Sequence, residues 1–349
     1  MHLIYLVLTV ALLWLNLAGL TLLFGRALPY ALARAVGVLA VTLVPFALEH
    51  FIGLGRLSAV WPITSAVSLG LLYLNRGQLK SFWCSEIVFG VAFLYAFAGR
   101  FAFPNIDSLS EHLTDLYFIS NYLAGDTLPP PDRWLAGASF DFYYSFQHYA
   151  AALMGRVLSL EAGLTMNLAW CVLMALITSL AWFVASRFIQ SRAAKILLVT
   201  TLLLGGNGLS PLMGFLIHEP TPTMDSRQFA AVNQIWSSVR FAGMYDERVN
   251  TPLGLQLYAR PAYITPGDEP RDLPVESIAY LTYLGDYHPP LGGFFLLMLT
   301  LALAVAQRKR QDETSAVVHE ESANENTASD TVIVCKAHSP CDQLITALM

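Results

Sequence analysis

LTMNLAWCVLMALITSLAWFVAS, residues 164–186, runs for 23 residues without a charged side chain. A helix needs about 20 such residues to cross the hydrocarbon core of a bilayer. Other stretches also carry almost no charge, and several reach that length: 2–24, 29–52, 57–75, 83–102, 145–161, 194–217 and 289–306. The sequence therefore predicts an all-α polytopic membrane protein with about eight transmembrane helices.

The composition of the whole chain fits this class. Hydrophobic residues make up 55% of the 349 residues, charged residues make up 13%, and the mean hydropathy is +0.52. A soluble domain carries about 45–50% apolar and about 25% charged residues. The net charge of -5 comes with no basic patch, which argues against a nucleic-acid partner. The partner that the sequence does predict is the lipid bilayer.

Two long extramembrane loops interrupt the predicted helices. We expect N-terminal membrane helices over 1–102, a first loop with an acidic helix over 103–143, central membrane helices over 144–217, a second loop over 218–288, a last membrane helix over 289–307 and a disordered polar tail over 308–349. The first span has no small-x-small cleavage site, so we expect an anchor rather than a removed signal peptide. The triplet Arg308-Lys309-Arg310 favours a cytoplasmic end for the last helix, which places 218–288 outside.

The first loop opens with an acidic stripe. Asp107, Glu111 and Asp115 recur every fourth residue, so on a helix the three carboxylates would share one face. Like charges at this spacing repel, which favours a cation, a basic partner or a proton-transfer role. Helix capping is the alternative, because Ser108 and Glu111 fit a capping box and Asp107 would lie near the helix start.

Aromatic and polar residues follow the stripe in the same loop. Prolines before Asp132 and Trp134 stiffen the turn that carries them. Tyr143 and Tyr144 precede His148, an ionisable residue in a predicted span, where such groups are often functional. Aromatic faces with hydrogen-bonding tips suit a sugar-binding surface. The alternative for these aromatic residues is the belt found at membrane interfaces.

The second loop ends in a further polar group. Glu276 begins a run that leads to Asp286 and His288, just before the last predicted helix. Asp286 and His288 could ligate a divalent cation or hold a phosphate. A plain helix start, with Asp286 as the cap and the following prolines in the first turn, is the alternative.

Four blocks of the chain resemble, in order, the motifs of the YYY membrane proteins of bacteria and archaea. That family has Glu-Lys-Pro-Met-Asp, Pro-Pro-x-Asp-Pro-Trp-x-x-Gly, Tyr-Tyr-Tyr-Phe-Gly-His-Tyr and, after a Glu-Phe-Pro segment that Glu276 matches, Gly-Asp-Leu-His-Pro-His. The corresponding blocks here are Glu111-His-Leu-Thr-Asp115, Pro130-Pro-Asp-Arg-Trp134-Leu-Ala-Gly137, Tyr143-Tyr-Ser-Phe-Gln-His-Tyr149 and Gly285-Asp-Tyr-His-Pro289. The resemblance covers roughly residues 100–290 and implies a multi-pass protein of the bacterial inner membrane.

The YYY family in turn is similar to the C-type glycosyltransferases, which take a sugar from a polyprenyl-phosphate donor. This similarity implies a glycosyltransferase C-like fold, with Asp115 or Glu111 as the general base on the acceptor hydroxyl. It further implies that Asp286 and His288 orient the donor phosphate or a divalent cation. Trp134, Tyr143 and Tyr144 would then pack on the sugar or the polyprenyl chain, and Asp107, Asp132, His148 and Glu276 would complete the substrate-binding set.

Two other classes of function stay open at this point. A transporter or flippase for a lipid-linked or polar substrate would also place acids, a histidine and aromatics in a membrane cavity. A non-catalytic scaffold is the third possibility. The two loops share one side of the membrane only if an even number of spans separates them, whereas three are predicted, at 145–161, 164–186 and 194–217. A site that draws on both loops therefore requires that one of these segments lies in the interface or crosses twice.

Overall fold

The computed structural model describes residues 2–25, 27–106, 111–141, 145–205, 247–250, 256–259 and 276–325. The chain forms two compact units. The larger unit is Met1–Gln190 with Tyr287–Met349, and the smaller unit is Ser191–Asp286.

The described parts of the larger unit are helical. In chain order they are α1 (His2–Phe24), α2 (Tyr30–Glu49), α3 (Val60–Leu74), a short 3-10 turn (Arg76–Gln78), α4 (Leu79–Ala102), α5 (Glu111–Tyr122), α6 (Ser145–Leu158) and α7 (Ala162–Phe188), followed after the smaller unit by the last helix (Pro289–Glu325). Helix α7, which contains the stretch quoted above, lies at the centre. Its apolar window is 78% buried, against 22–39% for the other long apolar helices.

Helices long and apolar enough to cross a bilayer number five within the described residues. They are Leu3–Phe24, Tyr30–Glu49, Phe82–Ala102, Ala162–Phe188 and Pro289–Arg308, and α3 is a shorter apolar helix. These helices confirm an all-α multi-pass membrane protein. They fall short of the eight predicted spans, because the predicted segments 57–75 and 145–161 form helices of only 15 and 14 residues, and the described part of segment 194–217 belongs to a helix of 13.

Helix α6 lies at one end of the bundle and does not cross it. Gln147 near its start bonds to the backbone at the start of the last helix, and Arg156 in its last turn bonds to Glu49 at the end of α2. Both partners belong to the same end of the unit. The helix is also short, since 14 residues span only about 21 Å. The predicted span 145–161 is therefore replaced by a helix packed on the end of the bundle.

The two ends of the larger unit differ in charge. At one end α2 and α4 finish and α7 begins, as the 2.7 Å hydrogen bond from Arg100 to Asn167 indicates. We call this the acidic end, because it carries Glu49, Glu111, Asp115, Asp126 and Asp132. The opposite end, the basic end, carries Arg76, Arg187 and Arg308. The positive-inside rule counts lysine and arginine only. By sequence, Lys80, Lys309 and Arg310 add to the basic end, which then exceeds the four arginines of the acidic end, Arg56, Arg100, Arg133 and Arg156. We therefore predict that the basic end faces the cytoplasm and the acidic end faces the outside.

A polar cluster joins α1, α2 and α4 near the basic end. Arg34 is buried and pairs with Glu86, and Tyr30 also donates to Glu86. Trp14 donates to the other Glu86 oxygen at 3.1 Å, and Arg34 Nε donates to Thr21 at 2.9 Å. Charged groups in a span are costly unless they are paired in this way. The sequence analysis did not anticipate the pair, since each residue stands alone in an apolar run.

The smaller unit contains α8 (Arg192–Leu204), a two-stranded antiparallel hairpin of β1 (Glu247–Asn250) and β2 (Gln256–Ala259), and α9 (Ile278–Leu284). The hairpin is a small exception to the all-α class. Ser277 caps α9 by accepting the Tyr280 N–H at 3.0 Å, and Gly285 ends the helix in the left-handed conformation at φ 65°. Helices α8 and α9 pack against each other.

The last helix, which we number α10 (Pro289–Glu325), is longer than expected. Its membrane-spanning part ends at Arg308, yet the helix continues to Glu325 through part of the predicted tail 308–349. Nucleating a helix is costly, but adding residues to an existing one is not. A charged segment can therefore continue the helix beyond the apolar part. Residues 326–349 lie outside the described chain.

The assignment of the two ends can be tested by cysteine labelling. In a chain whose four cysteines are replaced, we expect a membrane-impermeant thiol reagent to label Ser139→Cys on intact cells, because Ser139 is exposed at the acidic end. Gly77→Cys, exposed at the basic end, should react only after the cells are permeabilised. The reverse pattern would contradict the assignment.

A second prediction concerns Arg156 and Glu49, whose side chains are each about 1% exposed. Arg156→Gln leaves the Glu49 charge buried without its partner, so we expect a loss of about 3–5 kcal/mol of stability, measured by unfolding in mixed micelles. Arg56→Gln is the control, because Arg56 is exposed. The double replacement Arg156→Met with Glu49→Leu should be less damaging than Arg156→Gln. Equal losses in all three variants would show that the ion pair has no special role.

Candidate functional site

Helix α5 carries two of the three predicted acids at the acidic end. Glu111 begins the helix and Asp115 follows one turn later, so both lie on the same side of it. The acid in the first turn also interacts favourably with the helix dipole. Asp107, the first member of the predicted stripe, and Ser108, its proposed capping residue, lie outside the described residues.

Asp115 forms a buried pair with His148 of α6. The distance from Asp115 Oδ1 to His148 Nε2 is 2.7 Å, and the side chains are 3% and 0% exposed. The second carboxylate oxygen, Asp115 Oδ2, is also buried and has no hydrogen-bond partner among the described residues. A buried acceptor left without a partner costs about 1–3 kcal/mol. This oxygen is therefore ready to accept a hydrogen bond from a water or a hydroxyl.

Tyr287 packs against the His148 ring. Its ring meets the His148 ring edge-on at 5.8 Å between centroids, and Phe118 does the same at 5.0 Å. Burial raises the pKa of the Tyr287 hydroxyl, and the Asp115 charge raises it further. The hydroxyl therefore stays protonated and donates to the Gln147 carbonyl at 3.0 Å.

The Gln147 side chain clamps the start of α10. Its Nε2 donates to the carbonyls of Tyr287 at 2.9 Å and His288 at 3.2 Å, and its Oε1 accepts the Gly292 N–H at 2.9 Å. The first N–H groups of a helix have no partner within the helix, so this contact satisfies one of them. A Cβ on Gly292 would overlap Gln147 Oε1, which explains why this position suits glycine.

Glu111 and His288 form the exposed edge of the same site. Glu111 Oε2 lies 3.6 Å from His288 Nδ1, and the side chains are 63% and 17% exposed. The larger unit thus brings together Glu111, Asp115, His148 and His288. The buried pair of Asp115 and His148 lies one turn of α5 away from the exposed Glu111 and the half-buried His288. Such an arrangement offers a solvent-facing binding edge beside an oriented carboxylate.

Asp132 and Trp134 contact a different side of α5 from the one that carries Asp115. Trp134 stacks on Tyr117 at 3.9 Å between ring centroids, and Tyr117 is two residues beyond Asp115, about 200° around the helix. Burial and a hydrogen bond to Asp132 raise the pKa of Tyr117 to about 12. The same hydrogen bond, with those from the Leu135 and Trp134 backbone, holds the pKa of Asp132 below its usual range. These two predicted binding residues therefore do not join the acidic face of α5.

The remaining predicted residues lie outside the described residues or in the smaller unit. Tyr143 and Tyr144 lie outside the described residues. Glu276 precedes α9 in the smaller unit, and Asp286 follows Gly285, with its N–H donating to the Leu281 carbonyl at 3.2 Å. The divalent cation expected at Asp286 and His288 stays a prediction.

Gln147 and Tyr287 were missed by the sequence analysis. Their positions next to His148 and His288 in the motif-like blocks were the available signal.

The comparisons with known proteins establish the family. A model described as "Uncharacterized membrane protein (DUF2298)" matches residues 17–321, so the chain belongs to this family of membrane proteins. No curated protein and no solved structure matches the chain significantly. The membership agrees with the expected multi-pass membrane class, whereas the similarity to the C-type glycosyltransferases stays a prediction.

The clamp on α10 yields a matched pair of substitutions. Gly292→Ala should lower the melting temperature, because the added Cβ displaces Gln147 and frees the start of the helix. Gly293→Ala meets no heavy atom within 4 Å and should be neutral or stabilising, since alanine favours a helix by about 0.8–1.0 kcal/mol over glycine. Thermal unfolding in detergent measures both. Equal effects would mean that the clamp contributes nothing.

Proposed function

We propose that this member of the DUF2298 family is a glycosyltransferase. It would transfer a sugar from a polyprenyl-phosphate donor to a hydroxyl group of an envelope glycan, lipid or protein. The observation that carries the proposal is the buried Asp115 carboxylate, oriented by His148 and retaining one oxygen without a partner among the described residues. Groups around Asp115 at the acidic end would bind the polar parts of the substrates, and the nearby bilayer boundary would hold the lipid-linked donor.

The pair has the features of a general base. The 2.7 Å contact with His148 fixes the carboxylate, and a positioned base contributes about 10²–10⁴-fold to the rate of proton transfer reactions. His148 acts as a positioning residue, because its Nε2 is occupied by Asp115. Asp115 Oδ2 is the atom that would accept a proton from the acceptor.

The proposed step is a single displacement. The acceptor hydroxyl gives its proton to Asp115, and its oxygen forms a bond to the anomeric carbon of the sugar. The bond between that carbon and the phosphate oxygen breaks with its electron pair. Polyprenyl phosphate leaves, and the proton on Asp115 returns to solvent through the exposed edge.

Glu111 and His288 would bind the polar parts of the substrates at this edge. Glu111 can accept hydrogen bonds from sugar hydroxyls, and protonated His288 can neutralise a phosphate. The candidate substrate ligands Glu276 and Asp286 belong to the smaller unit. The acidic end also suits a lipid-linked donor, because the ends of α2 and α4 mark the bilayer boundary, where the phosphate of such a donor lies.

The test uses the full chain in lipid vesicles with a panel of polyprenyl-phosphate sugars, and it measures release of polyprenyl phosphate with and without hydroxyl acceptors. We expect transfer by the natural chain and a loss of at least about 100-fold in Asp115→Asn. This isosteric change keeps the hydrogen bond to His148. Asp126→Asn is the control, because Asp126 is exposed at the same end.

Each outcome separates the alternatives. Transfer that is unchanged in Asp115→Asn, with the melting temperature preserved, would remove Asp115 as the base. Absence of release from every donor by the natural chain would overturn the proposal. Uptake of the same donors into vesicles without chemical change would instead identify a flippase.

A further inference from the structure

Residues 128–140, which we call the proline loop, form a braced hairpin-like segment. Pro131 bridges Ser139 in antiparallel fashion, the Asp132 N–H donates to the Ala138 carbonyl at 2.9 Å, and the Phe140 N–H donates to the Pro130 carbonyl at 2.7 Å. The Asp132 carboxylate accepts the N–H groups of Trp134 at 2.7 Å and Leu135 at 2.9 Å. The backbone near the tip is thus held by its own hydrogen bonds.

Helix α5 fixes the direction of the loop. Asn121 Oδ1 accepts the Arg133 N–H at 3.0 Å, and one face of Trp134 stacks on Tyr117 with the ring planes 18° apart. These contacts hold the tip in one conformation. A side chain at the tip is therefore presented in a defined orientation.

The tip nevertheless exposes large apolar side chains. Trp134 is 61% and Leu135 is 64% exposed, although the polar bonds around them would permit a tip made of small polar residues. Arg133 beside them is also exposed. Tryptophan, leucine and arginine together are typical of segments that rest in the headgroup region of a bilayer.

The base of the loop lies at the membrane boundary. The Leu128 N–H donates to the Glu49 carbonyl at 2.7 Å, and Glu49 is the last residue of the span in α2. Phe51 and Ile52, which follow that span, are 82% and 58% exposed. The base of the loop therefore lies beside an exposed apolar part of the bundle. Four residues of extended chain reach about 13 Å, and the headgroup layer is about 5–7 Å deep, so the tip can reach it.

The positions of the loop residues argue against a role for the proline loop in the Asp115 site. Tyr117, which supports Trp134, is on the opposite side of α5 from Asp115. The hydroxyl of Tyr117 and the carboxylate of Asp132 also bond to each other, so neither is held ready for a sugar. The exposed groups that remain at the tip are the indole face, a leucine and a guanidinium.

We propose that the proline loop is an interfacial anchor that inserts Trp134 and Leu135 into the outer leaflet, with Arg133 on the phosphates of anionic lipids. The anchor would hold α5 at a fixed depth at the bilayer boundary. It does not depend on the proposed glycosyltransferase activity, because its ligand is the lipid surface itself.

The test measures how deeply the tip of the proline loop lies in the bilayer. The fluorophore NBD is attached to Leu135→Cys in an otherwise cysteine-free full chain, reconstituted in phosphatidylcholine vesicles with or without phosphatidylglycerol. We expect the NBD emission to be blue-shifted. Nitroxides on lipid headgroups or upper acyl chains should quench most of this emission, whereas iodide in the aqueous phase should quench little of it. The matched probe at Glu111→Cys, whose parent side chain is 63% exposed at the solvent-facing edge of α5, should show the opposite pattern.

The role of charge is tested in the same system. Quenching by lipid nitroxides at Leu135→Cys should increase when phosphatidylglycerol is present, and Arg133→Gln should remove that increase. Quenching by iodide alone would place the tip in water and overturn the anchor in favour of a soluble ligand. Protection from both quenchers would show that a protein surface covers the tip, which also overturns it.

Discussion

The buried ion pair between Arg156 and Glu49 holds α6 at the acidic end. Arg156 donates to both oxygens of Glu49 and, through Nε and Nη2, to the Gly55 carbonyl at 3.0 and 2.7 Å. Two charges taken out of water require this number of bonds, because desolvation costs several kcal/mol for each ion. The pair ties α6 to α2 and to the loop after it. The position of His148, and with it the orientation of Asp115, follows from this attachment.

The candidate site is built where protein, lipid and water meet. His148 and Tyr287 surround the Asp115 carboxylate with rings, while Glu111 one turn away faces solvent. The Asp115 carboxylate is thus oriented inside the protein, one helical turn from an exposed carboxylate. The Gln147 clamp keeps the start of α10 in register with the pair. Support from three helices gives the site the rigidity that positioned chemistry requires.

The sequence predicted the long spans well and the short ones poorly, for one physical reason. Residues 164–186 form a helix because a charge-free run of that length satisfies the bilayer by itself. Residues 145–161 are apolar for a different reason. Tyr149, Ala152 and Leu153 are buried against other helices, and composition does not distinguish burial in protein from burial in lipid. The acidic residues and the two histidines were recognised as candidates, but which acid lies beside which histidine was not predicted.

The sequence by itself determined the class of the protein, the main membrane helices, the two polar regions and the residues Glu111, Asp115, His148 and His288 as candidates. Local periodicity and hydropathy contain this information, because each depends on near neighbours in the chain. Only the tertiary structure decided that Asp115 pairs with His148, that Trp134 lies on the other side of α5, and that Gln147 clamps α10. Such contacts join residues up to 145 positions apart, and they depend on how the helices pack, which no short stretch of sequence specifies.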